Sequence, residues 1–243
     1  MSSSALSLEP YVAQRTRWPR HGRHVMAQFD DERVVVYQAY RPAIGHFAAA
    51  HGYFGGEFSL GRMSWVKPNF LWMMFRSGWG TKEGQEVLAS LGCRPPASPA
   101  PSAARPGALR ARLEVVLAVW LRRAAFDQLL EAAVPSTFWP HRHADHAAWQ
   151  AAVAGSDVRL QWDPDHGPSG APVERRAVQL GLRGAALRSY ARDWIVRIED
   201  VSAFCREQHA RWREGGDGAL VLPREDVYPL TAAARAALGT EDA

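Results

Sequence analysis

The sequence predicts an α+β protein: a single domain with a mixed, largely antiparallel central sheet flanked by helices. Several short runs alternate apolar and polar residues, which is typical of strands. Other runs repeat their apolar residues every three or four positions, which is typical of amphipathic helices. The chain has 243 residues, 47% of them hydrophobic, and this length favours one buried core.

The domain is expected to cover residues 31–230. Residues 1–30 are Ser-rich and then Arg-rich and contain Pro and Gly, which predicts a flexible basic arm. Residues 93–112 are rich in Pro, Ala and Ser and are interpreted as a loop insertion. Residues 231–243 follow a Gly-, Pro- and acid-rich stretch and are expected to form a peripheral C-terminal tail.

Composition limits the classes of partner. The net charge of +4 and the pI near 9.4 permit a polyanion but do not require one. No apolar run is long enough to cross a membrane, and the N-terminus lacks the apolar core of a secretory signal. Cys93 and Cys205 follow no metal spacing, so free thiols in a reducing cytoplasm are expected. Composition leaves the oligomeric state open.

The first strand is expected at Val34–Tyr40, which carries apolar residues on both faces as a central strand does. Polar groups on this strand line either a site or a satisfied core network, and we favour the site. These residues are Tyr37, Gln38 and Tyr40. Arg41 and Pro42 end the strand, and Ala43–His51 is expected to be a helix stopped by Gly52.

Residues 62–82 are interpreted as the segment around which the chain is organised. Met63–Lys67 alternates like a strand, and Pro68 is expected at the first position of a helix that ends at Gly78. The chain contains only two lysines, Lys67 and Lys82, and its only asparagine, Asn69, also lies here. Since arginine has replaced lysine elsewhere, these positions are expected to need a compact ammonium whose pKa burial can shift.

Lys67, Arg76 and Lys82 are expected to surround a phosphate or carboxylate. Lys67 would lie where the strand meets the helix, and backbone N–H groups at a helix N-terminus favour anions. The alternative is a solvated basic face above an aromatic core.

In the second half, Leu109–Ala133 is expected to be a long amphipathic helix, and Gly184–Asp193 a shorter one. The spacing of His141, His143 and His146 favours a solvated or N-capping cluster over a zinc site. Three runs read as strands: Val158–Asp163, Val178–Leu182 and Trp194–Val201. If they are neighbours, one sheet face collects the polar residues Arg159, Gln161, Asp163, Gln179, Arg197 and Glu199. The alternative is a sheet with one solvated face.

Four stretches are long sequence motifs: Val36–Tyr40, Arg62–Lys82, Val158–Pro164 and Trp194–Val201. In these motifs the chain resembles the microbial and fungal family called domain of unknown function 4291. The resemblance spans about residues 31–230 and departs from the family around residues 93–118, where the chain is Pro- and Ala-rich. Membership of this family would identify proteins related to the chain, but it implies no particular reaction.

The order of a strand bearing Tyr and Gln, a helix, an aromatic strand and a late strand bearing Glu is similar to ADP-ribosyltransferase-like folds. That resemblance implies NAD as a substrate. Gln38, which stands where His is commoner, would hold the nicotinamide ribose. Glu199 would orient the attacking group or stabilise an oxocarbenium ion. This is an analogy at the level of fold.

Three functions are compared. The favoured one is a transferase acting on a nucleotide or NAD, because a module built only to bind polyanions gains nothing from Asp163 and Glu199 beside the cations. The alternatives are an RNA- or DNA-binding module with stacking aromatics, or a regulatory domain without catalysis. The expected catalytic residues are Glu199, Gln38 and Asp163. The expected substrate-binding residues are Tyr37, Tyr40, Arg41, Arg62, Trp65, Lys67, Trp72, Arg76, Ser77, Lys82, Gln161 and Gln179. No metal is expected.

Overall fold

The computed structural model describes residues 6–82 and 113–240 and confirms the α+β class. The helices in these ranges, numbered α1 to α8, are Tyr11–Arg17, Pro42–His51, Phe70–Ser77, Arg123–Glu131, His146–Gly155, Gly184–Arg192, Ser202–Gly215 and Ala232–Leu238. The strands, numbered β1 to β12, are Leu8–Pro10, Gly22–Arg23, Met26–Ala27, Arg33–Tyr40, Ser64–Val66, Val115–Arg122, Val134–Pro135, Val158–His166, Pro172–Leu182, Ile195–Asp200, Val221–Pro223 and Asp226–Val227. None of the helices in the described part combines the length and apolar character that crossing a bilayer requires.

Two larger sheets stand in place of one central sheet, and the described residues also form two two-stranded sheets, β1-β11 and β12-β3. The three-stranded sheet has the order β10-β6-β4 and is antiparallel throughout. The five-stranded sheet has the order β2-β9-β8-β7, and β5 also pairs with β9. β2 and β7 run parallel to their partners, and the remaining pairs are antiparallel, so the expected mixed, largely antiparallel character is confirmed.

The two sheets are joined by a bridge between Tyr37 of β4 and Lys67, which directly follows β5. The Tyr37 N–H donates to the Lys67 carbonyl at 2.6 Å, and the Lys67 N–H donates to the Tyr37 carbonyl at 3.2 Å. β4 and β5 therefore lie side by side at this point, and the backbone of Lys67 is fixed from both sides.

Strands β4 and β6 of the three-stranded sheet are buried on both faces. One core cluster packs between the two sheets and includes Val36, Leu117 and Leu180. A second cluster covers the opposite face and includes Tyr37 and Ala118. The interior of the protein is thus organised around β4 and β6.

The predicted long helix over Leu109–Ala133 is wrong. Its described part is strand β6 followed by helix α4. A strand buried on both faces shows no alternation of apolar and polar residues, so its apolar positions also fit a helical spacing. The β-branched Val115, Val116 and Val119 favour the strand.

Residues 1–30 are not a flexible arm where the structure describes them. β1, α1, β2 and β3 form here, and β1 pairs with β11 near the other end of the chain. Tyr11, Gln14 and Trp18 are buried between exposed arginines. The arginines gave the segment the composition of a solvated arm, although its apolar residues belong to the core.

The expected peripheral tail is also wrong for residues up to 240. Helix α8 packs against α4, and Ala234 and Leu238 are buried in the first core cluster. Small alanines contact the core here without forming a bulky apolar stripe, so the sequence pattern did not reveal the contact.

The other expected elements are confirmed as β4, α2, β5, β8, β9, α6 and β10, with bounds shifted by a few residues. Helix α3 begins at Phe70 after an N-cap at Asn69, and it begins later than Pro68. Its end at Gly78, in the left-handed conformation with φ 58°, is confirmed. The expected insertion at residues 93–112 lies outside the described residues.

Gly45→Ala in helix α2 is expected to destabilise the protein by about 1–3 kcal/mol through overpacking. Replacing glycine by alanine inside a helix ordinarily stabilises it by roughly 0.5–1 kcal/mol. Here the added Cβ would lie 2.4 Å from the Cβ of Val115 in the rigid strand β6. Urea denaturation measures the change. Gly155→Ala in α5 is the control, because its Cβ would meet no atom within 4 Å. A more stable Gly45→Ala variant would contradict this packing.

Candidate functional site

A cavity of about 170 Å³ opens where β4 and β5 diverge beyond the Tyr37–Lys67 bridge. Its floor consists of buried residues: Gln38, Tyr40, Ser64, Lys67, Met73 and Glu114. Partly exposed residues form the walls, among them Phe58, Met63, Trp65 and Arg76. Exposed residues form the rim: Arg41, Glu57, Ser59 and Arg62. The cavity therefore combines aromatic walls with four cationic side chains.

Lys67 is the cation at the floor. Only 6% of the residue is exposed, and its ammonium makes no hydrogen bond to another described residue. Burial lowers the pKa of Lys67 to about 7, and repulsion from Arg76 adds to this, whereas the carboxylates of Asp163 and Glu114 act in the opposite direction. A large fraction of this amine is therefore neutral near physiological pH.

The turn after Lys67 is held by two caps. Asn69 accepts a hydrogen bond from the Trp72 N–H at 2.7 Å, so the chain's only asparagine is the N-cap of α3. The carboxyl of Glu225 accepts bonds from the Phe70 N–H at 2.5 Å and the Asn69 amide at 3.0 Å. Burial raises the pKa of Glu225 to about 8. These contacts fix the direction in which the chain leaves Lys67.

Gln38 belongs to a hydrogen-bonded network under the cavity. Its amide donates to the Tyr40 hydroxyl at 2.8 Å and to Ser64 Oγ at 2.9 Å, and its carbonyl oxygen accepts from the Tyr190 hydroxyl at 2.5 Å. Its amide also lies 3.1 Å from the Trp65 carbonyl oxygen. The network ties β4 to β5, so Gln38 and Tyr40 are used for structure, which was the alternative interpretation.

Asp163 lies on the polar sheet face beside Lys67. Its carboxylate accepts hydrogen bonds from Gln161 at 2.9 Å and from Gln179 at 2.8 Å. Gln161 and Gln179 are opposite each other in the β8–β9 pair, and β5 continues the sheet with Val66 opposite Leu180. Lys67, one residue further along, consequently projects to the same face.

Arg197 and Glu199 do not join this polar face, and they form an ion pair with each other on β10. Arg159 lies on the same face of β8 as Gln161, and its guanidinium donates to the Ser156 carbonyl at 3.0 Å. Because β10 pairs with β6 in the three-stranded sheet, Arg197 and Glu199 are not neighbours of β8 or β9.

The structure does not bring Gln38 and Glu199 together, as the ADP-ribosyltransferase analogy requires. Glu199 and Tyr37 both pair with Ala118, whereas Gln38 pairs with Leu117. Successive side chains of a strand point to opposite faces. Glu199 therefore lies on the sheet face opposite to Gln38, and the two cannot act on one ligand.

Six other expected binding residues do not line the cavity: Tyr37, Trp72, Ser77, Lys82, Gln161 and Gln179. The expected catalytic residue Asp163, to which Gln161 and Gln179 donate, does not line it either. Tyr37 and Trp72 are buried side chains. Ser77 donates to the Met73 carbonyl at 2.9 Å within its own helix. Lys82 caps the end of α3, where its ammonium lies 3.1 Å from the carbonyl oxygen of Arg76. In contrast, seven expected residues do line the cavity: Gln38, Tyr40, Arg41, Arg62, Trp65, Lys67 and Arg76.

Some residues of the cavity gave no sequence signal. Glu57 and Phe58 lie in an irregular Gly-containing segment, and Glu57 pairs with Arg41 at 2.8 Å on the rim. Glu114 directly precedes β6, and its position before a β-branched run was the one available indication that it belongs to the core.

The histidines of the second half stack on aromatic rings. His146 lies 4.1 Å from Phe138 between ring centroids, and His141 lies 5.6 Å from Trp139. Among the residues that the structure describes, no group of three or more His, Cys, Asp or Glu side chains could hold a metal ion.

The fold and the cavity define the structural class of the protein. It is an α+β protein with a cationic, aromatic-walled cavity above a buried lysine. The sequence matches the family model described as Domain of unknown function (DUF4291) over residues 24–93 and 107–228. The chain belongs to this family, as its motifs predicted. It matches no curated protein and no solved structure, so the comparisons give the ADP-ribosyltransferase resemblance no support.

Proposed function

We propose that the protein is an enzyme that binds a nucleotide-type ligand in this cavity, with the phosphate toward Lys67 and Arg76. The observation that carries the proposal is the buried amine of Lys67, whose pKa is lowered to about 7 at the floor of a cationic cavity. Amines shifted in this way are characteristic of sites that transfer protons or form covalent intermediates.

An anion in the cavity would offset the repulsion between two of its cations. The charges of Arg76 and Lys67 repel each other, and the Arg76 guanidinium donates no hydrogen bond to another described residue. A phosphate bound by the Arg76 guanidinium would offset this repulsion and would leave the Lys67 amine facing the sugar. Arg62 on the rim adds a third cation along the path into the cavity.

The aromatic walls suit the flat part of the ligand. Phe58 and Trp65 are partly exposed and can pack against a base or sugar. The volume of about 170 Å³ is below the roughly 300–1,000 Å³ of cavities that enclose a drug-sized ligand. The cavity is thus too small to enclose a whole nucleotide, and in this proposal it takes the phosphoribosyl end of a mononucleotide, or of one half of NAD, with the base at the rim.

The burial of the tryptophans favours a small ligand over a nucleic-acid strand. Trp72 and Trp79 are 5% and 6% exposed and pack inside the protein, so neither ring can stack on bases. Binding of phosphate alone would also be served by arginine, which stays charged when buried. A lysine that is neutral near pH 7 instead supports chemistry on the ligand.

The proposal is tested by thermal-shift and calorimetric titration with AMP, GMP, ATP, NAD and short RNA. A ligand specific to the native state stabilises it by about 2.7 kcal/mol at a hundredfold excess over Kd. We expect this with a mononucleotide or NAD, and we expect Arg76→Gln to weaken binding at least tenfold, on the order of 1.4 kcal/mol.

Arg211→Gln is the control for this test, because Arg211 lies on α7 and pairs with Glu207 at 2.6 Å. It should bind like the wild type. Binding of RNA alone with a steep salt dependence would contradict the proposal, as would nucleotide binding that Arg76→Gln leaves unchanged.

A further inference from the structure

The backbone of Lys67 is fixed by its neighbours, and its side chain lines the cavity. The Tyr37 bridge fixes its backbone on one side, and the pairing of β5 with β9 fixes the strand on the other. The side chain lines the floor of the cavity without a hydrogen bond to any described residue. A structural lysine in so buried a position would ordinarily be paired with a carboxylate or carbonyl group.

Nearby charges suit a reaction that starts from a neutral amine and produces a cation. Arg76 and burial disfavour the ammonium and leave the lone pair of the amine available. Asp163 and Glu114 lie close enough for their charges to act on Lys67 and would stabilise a positive charge formed on its nitrogen. Asp163 is itself fixed by Gln161 and Gln179.

On the basis of the proposed function, we propose that Lys67 is a nucleophile that forms an imine with C1′ of the ribose in a nucleotide-type substrate. The Lys67 Nζ attacks C1′, the glycosidic C1′–N bond breaks, and the departing base takes the proton released by the amine. The C1′–O4′ bond then opens and O4′ takes a proton from solvent, which leaves a protonated imine between Nζ and C1′. Attack of water on C1′ breaks the C–N bond, releases the ribose phosphate and restores the amine.

This step assigns separate tasks to the residues of the cavity and to Asp163 on the polar sheet face beside Lys67. Arg76 and Arg62 bind the 5′-phosphate and thereby place C1′ over Lys67, and Asp163 stabilises the imine cation. Glu199, on the opposite sheet face, has no part in the reaction.

The test traps the imine with ribose 5-phosphate, whose open-chain aldehyde reacts with the amine with loss of water. Sodium cyanoborohydride then transfers hydride to C1 and converts the imine to a stable secondary amine. Since Lys67 and Lys82 are the only lysines in the sequence, peptide mass spectrometry assigns the adduct directly. We expect Lys67 to be modified at least tenfold faster than Lys82 at pH 7.5, with saturation in ribose 5-phosphate and suppression by AMP.

Lys67→Arg should abolish the adduct, and Lys82→Arg should leave its rate unchanged, with circular dichroism to confirm that both variants fold. AMP binding without selective modification of Lys67 would overturn the nucleophilic role and leave the proposed nucleotide site intact. Selective modification of Lys67 that AMP does not suppress would overturn the assignment of a nucleotide as substrate.

Discussion

Lys67→Met is expected to make the protein more stable by roughly 2–4 kcal/mol at pH 6, while it removes covalent trapping. In the unfolded chain the amine of Lys67 keeps its proton up to its usual pKa of 10.5, whereas in the folded protein its pKa is about 7. The folded state is therefore penalised while the proton is bound. The penalty is complete below pH 7 and disappears as the pH rises toward 10.5. Methionine fills a similar volume without a charge to desolvate.

Urea denaturation of both proteins between pH 6 and pH 10 measures this effect. The gain should be greatest at the acidic end and should shrink as the pH rises. Lys82→Met is the matched control: Lys82 is exposed, so no comparable gain is expected. A Lys67→Met variant that is less stable than the wild type at every pH would contradict the account. A stabilising loss of function is the pattern of a residue kept for chemistry.

Arg175→Ala is expected to destabilise the protein by about 3–5 kcal/mol, because it leaves a buried carboxylate without its counterion. Asp165 is 0% exposed and forms an ion pair with Arg175, whose side chain is 7% exposed. Arg175 Nε donates to Asp165 at 2.8 Å, and Nη1 donates to the Pro19 carbonyl at 2.8 Å. The guanidinium also lies 5.0 Å from the centre of the Trp18 ring.

Arg15→Ala is the control for Arg175→Ala. The Arg15–Asp217 ion pair has the same chemistry, but its side chains are 52% and 37% exposed. Exposed pairs of this kind contribute at most about 1 kcal/mol. Chemical denaturation of both variants at neutral pH provides the comparison. Equal losses in the two variants would show that burial of the Asp165–Arg175 pair has no energetic consequence.

The sequence predicted those parts of the fold that depend on local pattern. β5 and β8 were found because their residues alternate, and β4 was found because both of its faces carry apolar residues. Lys67 stood out because arginine replaces lysine almost everywhere else. The pairing of β10 with β6 was not predictable in this way, because partners distant in sequence leave no local periodicity. The convergence of Glu199 with Asp163 depended on that pairing and failed with it.

The second source of wrong predictions was burial that the local pattern of apolar and polar residues does not show. Helix α1 alternates buried residues such as Tyr11 and Gln14 with exposed arginines, so its composition resembles that of a solvated arm. Strand β6 shows the reverse case, since burial on both faces removes the polar positions that would have marked it as a strand. In both segments the tertiary contacts, and not the local sequence, decide the outcome.

The Glu225 cap has a consequence for the order in which the protein folds. The helix start beside Lys67 is completed by Glu225, whose own N–H donates to Gln14 at 2.9 Å near the beginning of the chain. Contacts between segments so distant in sequence form slowly, because a long loop must close before they are gained. During synthesis the lysine is made early, but its final environment must wait until residue 225 has emerged from the ribosome. The cap at the start of α3 is therefore completed only after most of the chain has been made.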